Sequence, residues 1–120
     1  MEKSFGFRIV KTLEIENNRL LCVIASELAV QTKNIVIFGL PFSEKTMLSS
    51  AIAKNNQNKI IIDEWTDSCQ TKMLKEQKNI VATHQYLTAD RENTEKEIKE
   101  FLSKQGLTLD ELFVVLIRKH

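Results

Sequence analysis

Lys45 and Thr46 follow Gly39 at the spacing of the phosphate-binding pattern G-x-x-x-x-G-K-[ST]. A loop of that kind curls backbone N–H groups around phosphate oxygens. The helix behind it points its positive end at them, and the lysine adds a full charge. The Thr46 hydroxyl is the type of group that holds Mg²⁺ beside a bound phosphate, and Ser43 adds a second hydroxyl to the turn. Two further polar clusters follow apolar runs: Asp63-Glu64 after Ile60–Ile62, and Thr83-His84-Gln85 after Ile80–Ala82. An acid pair so placed could reach a metal through water with its first member and polarise an attacking water with its second. The third cluster could contact a terminal phosphate or position that water.

These clusters need a scaffold that brings three chain ends together. Four apolar runs, Ile35–Phe38, Ile60–Ile62, Ile80–Ala82 and Phe113–Ile117, are continuous and rich in β-branched or aromatic residues. Continuous runs predict strands buried on both faces, as in a parallel sheet. Phe5, Phe7 and Ile9 alternate with Gly6 and Arg8, which predicts a fifth, half-exposed strand. Helical patterns fill the gaps. Leu20–Val30 reads as a well-buried helix of about three turns. Met47, Leu48, Ala51 and Ile52 share a face after Ser43. Thr66–Gln77 is a weaker helix, and Ala89–Gln105 a charged one that buries Ile98, Phe101 and Leu102 and stops at Gly106. Thr108-Leu-Asp-Glu111 has the capping-box pattern and predicts a short turn into the last strand. The expected fold is α/β and three-layered, with a mainly parallel sheet of four to five strands. Ligands bind such sheets beyond the carboxyl ends of the strands, where all three polar clusters fall.

The 120 residues predict one domain spanning 1–120. A net charge of +1 provides no global field toward nucleic acid or membrane. Lys96, Lys99 and Lys104 interleave with Glu95, Glu97 and Glu100, a salt-bridged helix face and no clear nucleic-acid patch. No apolar run approaches the ~18 residues that span a bilayer, and the first residues lack a signal-peptide block. Cys22, in an apolar helical pattern, is expected in the core and Cys69 in a polar stretch. The pair has no metal-ligand spacing, so a reduced, cytoplasmic setting is the expectation.

Taken in order, Gly39-Leu-Pro-Phe-Ser-Glu-Lys45-Thr46, Ile60-Ile-Ile-Asp63-Glu64 and Ile80-Val-Ala-Thr83-His84 resemble the Walker A, Walker B and sensor strand of P-loop NTPases. The division resembled is the additional-strand, catalytic-glutamate one, with its RecA-like, AAA, conjugation and secretion ATPases. The resemblance runs from about Thr32 to Gln85. It implies ATP and Mg²⁺ as ligands, with Gly39, Ser43, Lys45 and Thr46 binding the nucleotide and Thr46 and Asp63 holding the metal. Glu64 would be the base, and Thr83 or His84 the sensor.

The chain departs from this pattern at two places. Glu44 stands where the family has its second glycine, and a carboxylate 4 Å from a phosphate charge is opposed by about 4 kcal/mol at an effective dielectric of ~20. Phe42 fills a position that many members leave as glycine. A structural reading competes: Ser43 is a good N-cap, and Glu44 in the first turn favours the helix dipole. Asp63-Glu64 can be a solvated strand end and His84 polar surface. Trp65 reads as a partly buried core aromatic, and Arg91, Arg118 and Lys119 as solvated charges. Two functions follow. One is a degenerate NTPase-like domain that binds ATP weakly and hydrolyses it slowly or not at all. The other is a non-catalytic module that keeps the fold and docks on a protein partner or on its own copies.

Overall fold

The computed structural model describes residues 7–41, 43–85 and 91–118. Phe5, Phe42, Ala89, Lys119 and the side chain of Arg91 lie outside them. The strands are β1 (Phe7–Lys11), β2 (Asn34–Gly39), β3 (Ile60–Ile62), β4 (Ile80–Gln85) and β5 (Leu112–Arg118). The helices are α1 (Thr12–Glu16), α2 (Asn18–Ala29), α3 (Lys45–Asn55), α4 (Ser68–Glu76) and α5 (Arg91–Lys104). All five strands are parallel, in the order β1-β5-β2-β4-β3. This is the α/β, parallel, three-layer arrangement that the apolar runs predict.

The two faces of the sheet bury separate clusters. On one face, Ile35, Ile37, Val81, Val115 and Ile117 meet Ile24 and Leu28 of α2 and Leu48 and Ile52 of α3. On the other, Val36, Phe38, Ala82, Val114 and Leu116 meet Leu74 of α4 and Ile98 and Leu102 of α5. Alternation along each strand divides its residues between these layers. Every residue of β2 is buried, so the central strand fixes the loop that leaves it. Asn34, at its start, is a buried polar staple. Its amide donates to the carbonyls of Leu74 (2.9 Å) and Gln77 (2.8 Å), and its oxygen accepts from the Ile80 N–H (2.9 Å). Strands β2 and β4 and the end of α4 are thereby locked in one register.

Several expectations need correction. Helix α2 is amphipathic: Leu21, Ile24, Ala25, Leu28 and Ala29 are buried, while Leu20, Val23 and Val30 are exposed. Only one side of the helix can meet the sheet, and Cys22 falls on the other, so it is exposed and not in the core. Strand β3 is an edge strand, and Ile60 and Ile61 are exposed despite the unbroken apolar run. Met47 is also exposed, because the inward face of α3 is formed by Leu48, Ser49 and Ile52. Trp65 is fully buried. At the end of α5, Gly106 has φ 75°, the left-handed conformation a helix stop favours. The turn before β5 closes with the Glu111 carboxylate accepting from the Thr108 N–H at 2.9 Å. No helix among the described residues is long and apolar enough to cross a membrane.

Candidate functional site at the carboxyl ends of β2, β3 and β4

Gly39 ends β2, and the chain bends at once. The Leu40 carbonyl accepts from the Ser43 N–H at 3.1 Å and from the Lys45 ammonium at 3.2 Å. This bend brings Ser43 back over Gly39. A Cβ at residue 39 would sit 2.3 Å from the Ser43 Oγ and 3.1 Å from Lys45 Cγ, so the close approach requires glycine. The Ser43 hydroxyl is buried and has no hydrogen-bond partner among the described residues.

Ser43 is not the N-cap of α3. That position falls to Glu44, whose side chain makes no capping bond. Its backbone is left-handed, at φ 65° and ψ 34°, a conformation for which glycine carries no steric penalty. By contrast, Asn17 caps α2 and Asp67 caps α4 with side-chain oxygens. The first-turn amides of a helix have no intrahelical acceptor, so α3 presents donors that Glu44 leaves uncapped. Lys45 itself is buried, 6% exposed. Desolvation holds its pKa below the ordinary lysine value, against the opposing pull of Glu64 and then Asp63. A cation in that state gains from any anion that reaches it.

The acid pair lies across from this turn. Asp63 Oδ1 accepts from the Thr46 hydroxyl at 3.3 Å and from the Thr83 hydroxyl at 3.3 Å. Thr83 is fully buried, and its oxygen accepts the Glu64 N–H at 2.9 Å. One hydroxyl thus holds both the carboxylate of Asp63 and the backbone of Glu64, which is also left-handed at φ 64°. The Trp65 N–H donates to the Thr83 carbonyl at 2.7 Å, and the Trp65 indole donates to Thr71 at 2.9 Å. His84 Nδ1 lies 2.7 Å from the Trp65 carbonyl. A carbonyl only accepts, so Nδ1 bears the proton. The imidazole stacks on Phe101 at 4.3 Å, with Trp65 and Phe38 edge-on to the cluster.

The fold therefore gathers Gly39, Ser43, Lys45, Thr46, Asp63, Glu64 and Thr83 at one end of the sheet. His84 is adjacent, but it is tied to the Trp65 carbonyl and an aromatic stack. Arg118, at the end of β5, pairs with Glu95 at 3.5 Å. Sequence reasoning missed the Leu40 carbonyl and the anchors on Trp65, since backbone acceptors and fully buried rings leave no mark in a spacing pattern. Among the described residues no three His, Cys, Asp or Glu side chains converge as a metal cage. Thr46 and Asp63 do fit Mg²⁺ of the kind that takes its remaining ligands from water and phosphate oxygens. Comparison with family models, curated proteins and solved structures finds no match to this chain.

Thr83→Val tests the relay at constant volume. It leaves the Glu64 N–H without its acceptor and Asp63 without one donor, an expected loss of about 1–3 kcal/mol. Thermal unfolding should show a melting temperature lower by several degrees.

Proposed function

We propose that the chain is a degenerate P-loop NTPase-like domain that binds ATP with Mg²⁺ weakly and turns it over slowly or not at all. The observation that carries this reading is the 3.3 Å contact between Thr46, at the head of α3, and Asp63, at the end of β3. The two lie 17 positions apart on separate elements, and the proposed metal needs both. The strand order adds support. Strand β4, which bears Thr83, is inserted between the lysine-threonine strand β2 and the acidic strand β3, an arrangement in keeping with the name of the additional-strand division.

In this reading the α3 amides and Lys45 hold phosphate oxygens, and Lys45 exchanges a neutral carbonyl for an anion. Thr46 and Asp63 would hold Mg²⁺, which neutralises phosphate charge. Glu64, fixed through its N–H by Thr83, is placed to orient a water. Glu44 works against the site twice, through its carboxylate and through its Cβ on a left-handed backbone. Weak binding and little turnover follow.

The second reading, a docking module without nucleotide, is favoured by one observation. Leu13, Val23 and Val30 expose 57%, 52% and 77% of their surfaces on α1, on α2 and just after it, and exposed aliphatic side chains are what a docking partner would cover. Thermal shift separates the two. At ATP ten times its Kd, linkage adds about 1.4 kcal/mol of stability. Millimolar Mg²⁺-ATP should raise the melting temperature by several degrees, and no rise would leave the docking reading.

A further inference from the structure

Strand β3 ends the sheet, and among the described residues no strand pairs with its outer side. The Ile60 N–H donates to the Asn79 carbonyl at 2.7 Å, so Ile60 turns its backbone groups toward β4. Backbone direction alternates along a strand, so Ile62 does the same and Ile61 between them turns its N–H and C=O outward. Ile60 and Ile61 are 44% and 40% exposed and lie on opposite faces, so neither layer fully covers this edge. No proline or inward charge interrupts Ile60–Ile62, the usual devices that keep an edge from pairing.

We propose that β3 pairs antiparallel with β3 of a second copy, about a two-fold axis through Ile61. Ile61 is then a hydrogen-bonded pair with itself, exchanging two N–H···O bonds through the groups it already directs outward. The same register sets Ile60 against Ile62 of the other copy. It sets Lys59 against Asp63 on one face, once on each side of the axis. The segment Lys59-Ile-Ile-Ile-Asp63 is self-complementary in charge only when it runs against itself, so the antiparallel second copy is the occupant the sequence favours. Lys59 is buried, its ammonium donates to the Gln31 carbonyl at 2.8 Å, and among the described residues no carboxylate is its partner. Desolvation lowers its pKa, so a cross-strand carboxylate answers a charge now unpaired. The segment is short, and the association is accordingly weak and concentration-dependent. Asp63 Oδ1 already accepts from Thr46 and Thr83, so Lys59 of the other copy would meet the second carboxylate oxygen, while the backbone pairing at Ile61 does not depend on nucleotide binding.

Sedimentation equilibrium across micromolar to sub-millimolar protein should show a monomer–dimer equilibrium. Ile61→Lys places like charges directly opposite and should raise Kd roughly tenfold or more. The far-UV circular dichroism should be unchanged. In a background with the exposed Cys22 and Cys69 replaced by serine, Ile61→Cys should form a disulfide-linked dimer on mild oxidation. The hydrogen-bonded pair separation of about 5.5 Å suits that bond. Ile60→Cys should cross-link far more slowly. A monomer throughout, a dimer indifferent to Ile61→Lys, or equal cross-linking at 60 and 61 would each overturn the proposal.

Discussion

Lys45→Ala is expected to abolish the rise in melting temperature proposed for the unmodified chain with Mg²⁺-ATP. The ammonium now donates to the Leu40 carbonyl at 3.2 Å, a neutral acceptor that only partly offsets the desolvation of a buried cation. A phosphate oxygen in its place is a charged acceptor, and a hydrogen bond between charged groups contributes about 1.5–3 kcal/mol. That corresponds to a loss of roughly tenfold to over a hundredfold in affinity when the lysine is removed. Weak binding cannot survive such a loss at millimolar ligand. Lys45→Met serves as the companion variant, because it keeps the buried stem and deletes the desolvated charge. Without ligand it should unfold no earlier than the unmodified chain, and with ligand it should show no shift. A Lys45→Ala protein that is still stabilised by Mg²⁺-ATP would place any nucleotide elsewhere on the molecule.

The fold was legible because its strongest signal is physical redundancy. Residues such as Ile35–Phe38 are apolar without alternation, and only a strand covered on both faces tolerates that. The same rule misled at Ile60–Ile62. Hydrophobicity reports what a segment can bury, while strand order decides what it does bury, and β3 came to lie at the edge. Cys22 misled for a related reason, since α2 has one buried face and the apolar pattern extends beyond it. At the site, the spacing of Gly39, Lys45 and Thr46 and the acids after β3 could be read directly. The sharing of one Thr83 hydroxyl by Asp63 and Glu64 could not, because it depends on β4 lying between β2 and β3. Ser43 looked like a helix cap by type. The bend instead turns its hydroxyl onto Gly39 and passes the cap to Glu44.

Glu44→Gly is expected to improve stability and affinity together, an uncommon pairing. At φ 65° and ψ 34° a side chain costs about 1–2 kcal/mol that glycine avoids. Glycine's greater freedom in the unfolded chain returns about 0.5–1 kcal/mol of that. No capping bond is lost, since the carboxylate makes none. The net gain is on the order of 0.5–1 kcal/mol, a melting temperature higher by a few degrees. The ligand effect has a different origin. Removing a carboxylate at the mouth of the proposed phosphate site lifts a repulsion that is about 4 kcal/mol at 4 Å and smaller for an exposed side chain. A tenfold or greater tightening of Mg²⁺-ATP, read by isothermal titration, is the expected result. Two further variants separate strain from charge. Glu44→Ala keeps the Cβ and loses the charge, so it should bind more tightly without the stability gain. Glu44→Gln should behave in the same way. If all three variants remain blind to ATP, the charge at Glu44 is not what opposes the nucleotide. The left-handed bend would then be a strand-to-helix connection, and the exposed aliphatic side chains of α1 and α2 would become the surface to follow.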